Sequence, residues 1–199
     1  RFEPGNRGVF MGYDFHLGAD GPRLIEINTN AGGALLNGLH TASLCDPERL
    51  ACICADLLPI ETMQARIVRQ FISEYRAVRG PEAELGRIAI VDERTREQFM
   101  FAAFERVVKL FEEAEILDTE DLARDGHELP DLVYLRDTDF TLSTPRTRRL
   151  REAYLSGAVV VTPSPREHHL LRTIERHAPL GVTFTPERRT DMHTQMGGE

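Results

Sequence analysis

The sequence predicts an α/β fold, on three observations. Ile88–Asp92 is a short continuous apolar run, typical of a strand buried on both faces, and Glu115–Asp118, Asp131–Leu135 and Ala158–Val161 are short runs that read as further strands. Helical stretches separate these runs by short links, and that alternation builds a small parallel, Rossmann-like sheet with right-handed crossovers. Ahead of them, Gly12–Gly33 has a different pattern, two strands around a tight turn with acids at chosen points.

Composition bounds the answer before any motif. The 199 residues suffice for one good core or two small ones. The apolar and charged fractions, 41% and 28%, are ordinary. A net charge of −8 argues against a large nucleic-acid footprint, and no apolar run is long enough to span a membrane. Cys45, Cys52 and Cys54, an odd set with no signal peptide, point to reduced thiols and the cytoplasm. The chain opens at Arg1 rather than Met and enters the hairpin at once, so it reads as a piece of a longer polypeptide or as a gene product that has lost its first part.

Phe2–Phe10, with Pro4, Gly5 and Gly8, reads as a loop, and Arg7 in it is a candidate phosphate contact or a solvated arginine. Gly12–Leu17 is the first strand and contains Asp14. Ala19-Asp20-Gly21-Pro22 is turn chemistry. Arg23–Ile27 returns with Glu26 between two isoleucines. Alternation puts Leu24, Glu26 and Asn28 on one face and Ile25 and Ile27 on the other. A carboxylate set among isoleucines is costly to bury unless a charge answers it. Asp14, Glu26 and Asn28 offer two carboxylates and an amide oxygen, which suit Mg²⁺. The alternative is an ordinary hairpin with solvated acids. Gly32 and Gly33 then let backbone approach a ligand closely.

Ala34–Leu44 reads as a short helix or loop, and Asp46-Pro47-Glu48 opens a helix carrying Cys52 and Cys54. Two thiols two residues apart point in different directions on a helix, so small buried thiols are favoured over a metal site. Glu61–Val78 is a long amphipathic helix. Its core stripe is Ile67, Val68, Phe71, Ile72 and Tyr75, and Arg66, Arg69, Arg76 and Arg79 form its solvated face. Gly80–Leu85 is the candidate linker, dividing the chain into residues 1–80, a domain at 86–185 and a polar tail at 186–199.

Beyond Arg87, the first strand is followed by a helix over Thr95–Glu113, with Phe99, Ala102, Ala103, Val107, Leu110 and Phe111 facing the core. Thr119 starts a short helix with acids in its first turn. Pro145–Leu155 is a basic helix ended by Gly157. Another helix runs to about Arg176, and Gly181–Phe184 reads as a last short strand. His168, His169 and His193 read as solvated surface groups. Ligands in such sheets sit beyond the C-terminal strand ends. Asp92, Arg136, Asp139, Thr162 and Arg166 occupy those ends and are the candidate substrate contacts. No Gly-x-Gly-x-x-Gly follows the first strand, which argues against a dinucleotide site.

Asp14 on one strand, then Leu24-Ile25-Glu26-Ile27-Asn28-Thr29-Asn30-Ala31-Gly32-Gly33, closely resembles the metal-binding hairpin of the ATP-grasp superfamily. The resemblance implies that Asp14, Glu26 and Asn28 hold Mg²⁺ ions bridging the phosphates of ATP. It also matches Asn30, Gly32 and Gly33 to the loop that contacts substrate or phosphate. The second half, through Ile88–Glu93, Asp131–Tyr134 and Val161–Arg166, resembles the small pre-ATP-grasp domain. Its place after the hairpin is similar to circularly permuted ATP-grasp proteins, a group related in style to glutathionylspermidine synthase. The implied chemistry is a ligase in which Mg-ATP phosphorylates a carboxylate and an amine or thiol attacks the acylphosphate. Lys109 is the only lysine, and no glycine-rich lid lies between Pro165 and Glu199. The chain therefore reads as supplying the metal half of an ATP site that a missing segment or second chain completes. A catalytically incomplete fragment, a non-enzymatic binding module and an α/β small-molecule binder working at Asp92, Arg136 and Arg166 without metal remain as alternatives.

Overall fold

A computed structural model describes residues 4–19, 21–45, 58–124 and 126–177. The strands are β1 (Gly12–Gly18), β2 (Gly21–Asn28), β3 (Ile88–Asp92), β4 (Ala114–Asp118), β5 (Leu132–Leu135) and β6 (Val160–Thr162). The helices are α1 (Ala34–Leu44), α2 (Ile60–Arg79), α3 (Phe101–Val108), α4 (Thr119–Ala123), α5 (Arg148–Ser156) and α6 (Pro165–His177). The helix expected from Asp46, with Cys52 and Cys54, lies outside the described residues. So do Asp20, the strand expected at Gly181–Phe184, His193 and the tail at 186–199.

The four apolar runs form one parallel sheet in the order β4-β3-β5-β6. Strand periodicity of two sorts its side chains into two cores. Ile88, Ile90, Leu132, Tyr134 and Val160 face Ile67, Phe71, Phe104 and Val107 of α2 and α3. Ala89, Val91, Val133, Leu135 and Val161 face Leu122, Leu150, Ala153 and Tyr154 of α4 and α5. Both faces are thus covered, as the unbroken apolar runs require. The α/β class with a parallel sheet is borne out.

Helix α2 buries Ile67, Phe71 and Tyr75 and exposes its four arginines, as the stripe indicates. It lies on the sheet itself, so residues on both sides of Gly80–Leu85 share a single core. Gly80 ends the helix with a φ of 105°, a conformation that favours glycine.

The helix expected over Thr95–Glu113 is shorter. A 3-10 turn at Thr95–Glu97 precedes α3, and Phe99 is 95% exposed instead of buried. Asp118 at the end of β4 ties down the start of this segment. Its carboxylate accepts the Thr95 N–H at 2.6 Å and the Thr95 hydroxyl at 2.7 Å, holding this segment against the neighbouring strand. Cys45 is disulfide-bonded, which corrects the reading of three free thiols; its partner lies outside the described residues.

A buried acid joins the N-terminal loop to the sheet. Glu74 of α2 is 5% exposed and accepts hydrogen bonds from the Asn6 amide at 3.2 Å, the Arg7 N–H at 3.2 Å and the Thr162 hydroxyl at 2.8 Å. Asn6 also donates to the Val161 carbonyl at 2.9 Å. Burying Glu74 is tolerable because three donors, from the N-terminal loop and from β6, meet it.

Phe71 is fully buried and makes edge contacts with Phe10, Phe111 and Tyr134 at centroid distances of 5.2–6.1 Å. Phe71→Ala should therefore cost about 3–5 kcal/mol in urea unfolding, whereas Ile72→Ala on the half-buried flank should cost clearly less. Equal losses would contradict this packing.

Candidate functional site

The hairpin sets its acids by register. Asp14 is paired with Glu26 and Gly12 with Asn28, so the two carboxylates oppose each other and Asn28 follows along the same face. Ile25 has no partner, and this bulge puts Leu24 opposite Phe15 rather than on the face of Glu26. Tyr13, Phe15 and Leu17 lie on the other face and are exposed. Asp14 and Asn28 are exposed and Glu26 is half-buried. Neither carboxylate makes an ion pair or hydrogen bond with a described residue. Like charges placed directly across a hairpin repel unless a cation answers them.

Among the described residues, no group of three or more His, Cys, Asp or Glu side chains could hold a metal ion. The hairpin offers only two carboxylates and one amide, a donor set that fits Mg²⁺ if water and ligand complete the shell.

The segment after β2 turns back at once. Asn28 Oδ1 accepts the Asn30 N–H at 3.1 Å, an Asx turn that tips the chain onto the sheet. Thr29 and Asn30 are buried there. Asn30 donates from its amide to the Arg136 carbonyl at 3.3 Å. The Tyr134 hydroxyl donates to the carbonyls of Asn30 and Ala31, each at 3.3 Å. The Thr29 hydroxyl lies 2.8 Å from His168 Nδ1, and the His168 ring stacks on Phe140 at 3.8 Å. His168 is 7% exposed, which corrects its reading as a surface group; His169 is exposed.

These contacts seat Thr29–Gly33 on the C-terminal edge of the sheet, at β5. From β3 the chain crosses to β4 on one side, and from β5 to β6 on the other. The crevice between the ends of β3 and β5 is therefore the topological switch point, where open α/β sheets bind ligands. Two of the candidate substrate contacts meet there. Asp92 ends β3 and is 7% exposed. Burial pushes its carboxyl above the usual range, against the opposing effects of the Glu93 N–H and the Arg136 charge. Arg136 follows β5, with its guanidinium 5.6 Å from the Phe104 ring and 6.0 Å from the Tyr134 ring. Gly32 sits against it: a Cβ there would lie 3.2 Å from Arg136 Cζ. At Gly33 a Cβ would lie 3.3 Å from Asn37 Nδ2.

The other candidates are placed elsewhere. Asp139 caps its own loop, accepting the N–H groups of Ser143 and Thr144 and the hydroxyls of Ser143, Thr144 and Thr147 at 2.6–3.0 Å. A carboxylate has about four lone-pair sites, so Asp139 has none left for substrate. Thr162 is fully buried against Glu74, and the Arg7 side chain is exposed. Arg166 opens α6 near Tyr154. Burial pushes the Tyr154 hydroxyl up to about 12, against a hydrogen bond with Ser164 and the Arg166 charge.

The residues that seat the loop, Tyr134 and His168, are absent from the sequence-derived set. Tyr134 carried a signal, being the one hydroxyl inside an apolar strand and two residues from Arg136; a buried tyrosine hydroxyl needs a partner. Comparison with family models, with curated proteins and with solved structures finds no match. The molecule is thus defined by its own geometry, as an α/β protein whose acidic hairpin runs into a loop seated at the sheet's switch point.

Asp139 gives a pH test. Burial raises its pKa, but the hydroxyl and N–H donors outweigh that and hold it well below the usual carboxylate range. Its contribution to stability is complete above the unfolded value near 4 and is lost as pH falls through the depressed folded value. Asp139→Asn should cost about 1–3 kcal/mol at pH 7, as loss of a carboxylate that several buried donors share does. It should also flatten the acid limb of a pH-stability profile; an unchanged acid limb would contradict the assignment.

Proposed function

We propose that this chain is part of an ATP-dependent ligase of ATP-grasp type, joining a carboxylate to an amine or thiol through an acylphosphate. The observation that carries the reading is the register of Asp14 with Glu26 and of Gly12 with Asn28. It gathers the resemblance's ligand set on one face of the hairpin, as an opposed pair of carboxylates that nothing in the described chain neutralises. Asp14, Glu26 and Asn28 would hold Mg²⁺. When bound, the ion supplies charge compensation for the phosphates of ATP.

The chain's own residues then divide the work. The half-buried Glu26 keeps one carboxylate fixed at the base of the set. The Asx turn at Asn28 links the metal face to the loop, and Asn30, Gly32 and Gly33 bring backbone to the switch point. Asp92 and Arg136 line the crevice where the carboxylate and amine substrates would sit. Lys109, just past α3, is the one lysine in the sequence, so other parts of the ATP site would come from a further segment or a second chain.

The chain's thermal unfolding in the presence of Mg²⁺ and a non-hydrolysable ATP analogue tests the reading. Together they should stabilise it by about 2.7 kcal/mol at a hundredfold excess over the dissociation constant. Glu26→Gln should lose the Mg²⁺-dependent part of that shift and keep the unliganded melting temperature. A Glu26→Gln variant that responds to Mg²⁺ as the parent does would sink the proposal.

A further inference from the structure

Among the described residues the Arg136 guanidinium has no oxygen to bind, unlike the half-buried Arg146, Arg87 and Arg149. Arg146 reaches Asp137 at 2.8 Å, Arg87 reaches Glu128 at 2.8 Å, and Arg149 donates to the carbonyls of Leu122 and His127 at 2.8 and 2.6 Å. Arg136 Nε and Nη1 are both covered and make no hydrogen bond with a described residue. Phe104 and Tyr134 present their rings to the group. Asp92 acts on it only through its charge, and burial favours the neutral form of that carboxyl. A guanidinium is permanently charged, and covering its donors without an acceptor is costly. The side chain stands where the topology of the sheet puts ligands. Beside it the backbone is glycine, leaving the space above Cζ free of any Cβ.

We propose that Arg136 anchors an oxyanion, a carboxylate or a phosphoryl group, of a small-molecule ligand in the crevice between β3 and β5, with the Thr29–Gly33 loop as its cover. The planar donor fork of arginine matches both groups. The proposal deepens the ligase reading by naming the chemical group recognised at this crevice, and it rests on that reading only for the identity of the ligand. Two sources supply such a group, the substrate's carboxylate and the nucleotide's phosphates.

Calorimetric titration of the whole chain, in buffer free of Mg²⁺ and nucleotide and at constant ionic strength, separates them. One arm uses succinate and citrate, the other inorganic phosphate and pyrophosphate. Saturable binding is expected in one arm, and the arm that binds identifies the source. Arg136→Gln should weaken it at least about tenfold, the loss expected for hydrogen bonds to a charged group. Gly32→Ala should weaken it too, because its Cβ would press on the guanidinium. If Arg136→Gln does not fold, Arg136→Lys, which keeps the charge and loses the fork, takes its place and should still bind more weakly than the parent. No saturable binding in either arm up to millimolar anion, or equal binding by parent and Arg136 variants, overturns the proposal. Because no metal is present, this outcome is independent of the Glu26→Gln result, and either reading can fail alone.

Discussion

The hydroxyl of Tyr134 is the point on which the arrangement depends. Its ring is buried in the core, edge-on to Phe10 at 5.8 Å and Phe71 at 5.6 Å, so the position of the oxygen is set by the packing of the sheet against α2. Burial pushes its pKa well above the ordinary tyrosine value, which keeps the group a proton donor at any working pH. That donor faces the carbonyls of Asn30 and Ala31. The rigid core thereby fixes the loop that leaves the hairpin. Together with the Thr29–His168 and Asn30–Arg136 contacts, this link orders a two-stranded hairpin that has an exposed apolar face.

The hairpin and the sheet have opposite electrostatic needs, and the loop joins them. On the hairpin, Asp14 and Glu26 are opposed carboxylates that call for a cation. At the switch point, Arg136 is a guanidinium with covered donors that calls for an anion. An anionic ligand carrying a divalent cation would answer both. A short path connects the two places: Asn28 holds the Asn30 N–H, Asn30 holds the Arg136 carbonyl, and Gly32 lies on the guanidinium. Each link is a contact of a residue that the sequence had already marked, although the contacts between them could not be read there.

Much of the fold was legible because it depends on local periodicity. Ile88–Val91 and Leu132–Leu135 are apolar or aromatic at every position, the pattern of a strand covered on both faces. The stripe on α2 was equally direct. Long-range contacts were not legible. Phe99 fits a helical core stripe, but it falls between the 3-10 turn, held by Asp118 23 residues further on, and α3, and its ring is in solvent. His168 looked like a surface histidine because nothing nearby in sequence predicts Thr29 or Phe140. Asp139 and Thr162 sit at strand ends, where ligands bind, yet one caps a loop and the other holds Glu74. Position along a strand says where a side chain starts, and only the packed structure shows which donors reach it first. The bulge at Ile25 is of the same kind, since strict alternation cannot anticipate a residue left without a partner.

The claim that the polar face of the hairpin holds a divalent cation next to the switch point is tested most directly by titrating Mn²⁺ into the ¹⁵N-labelled chain and following amide line broadening by NMR. The account predicts selective broadening at Gly12–Asp14 and Glu26–Asn30, and its loss in Glu26→Gln. Broadening centred elsewhere, on the acids Glu113, Glu115 and Glu128 at the opposite end of the sheet for example, or no broadening at all, would contradict it.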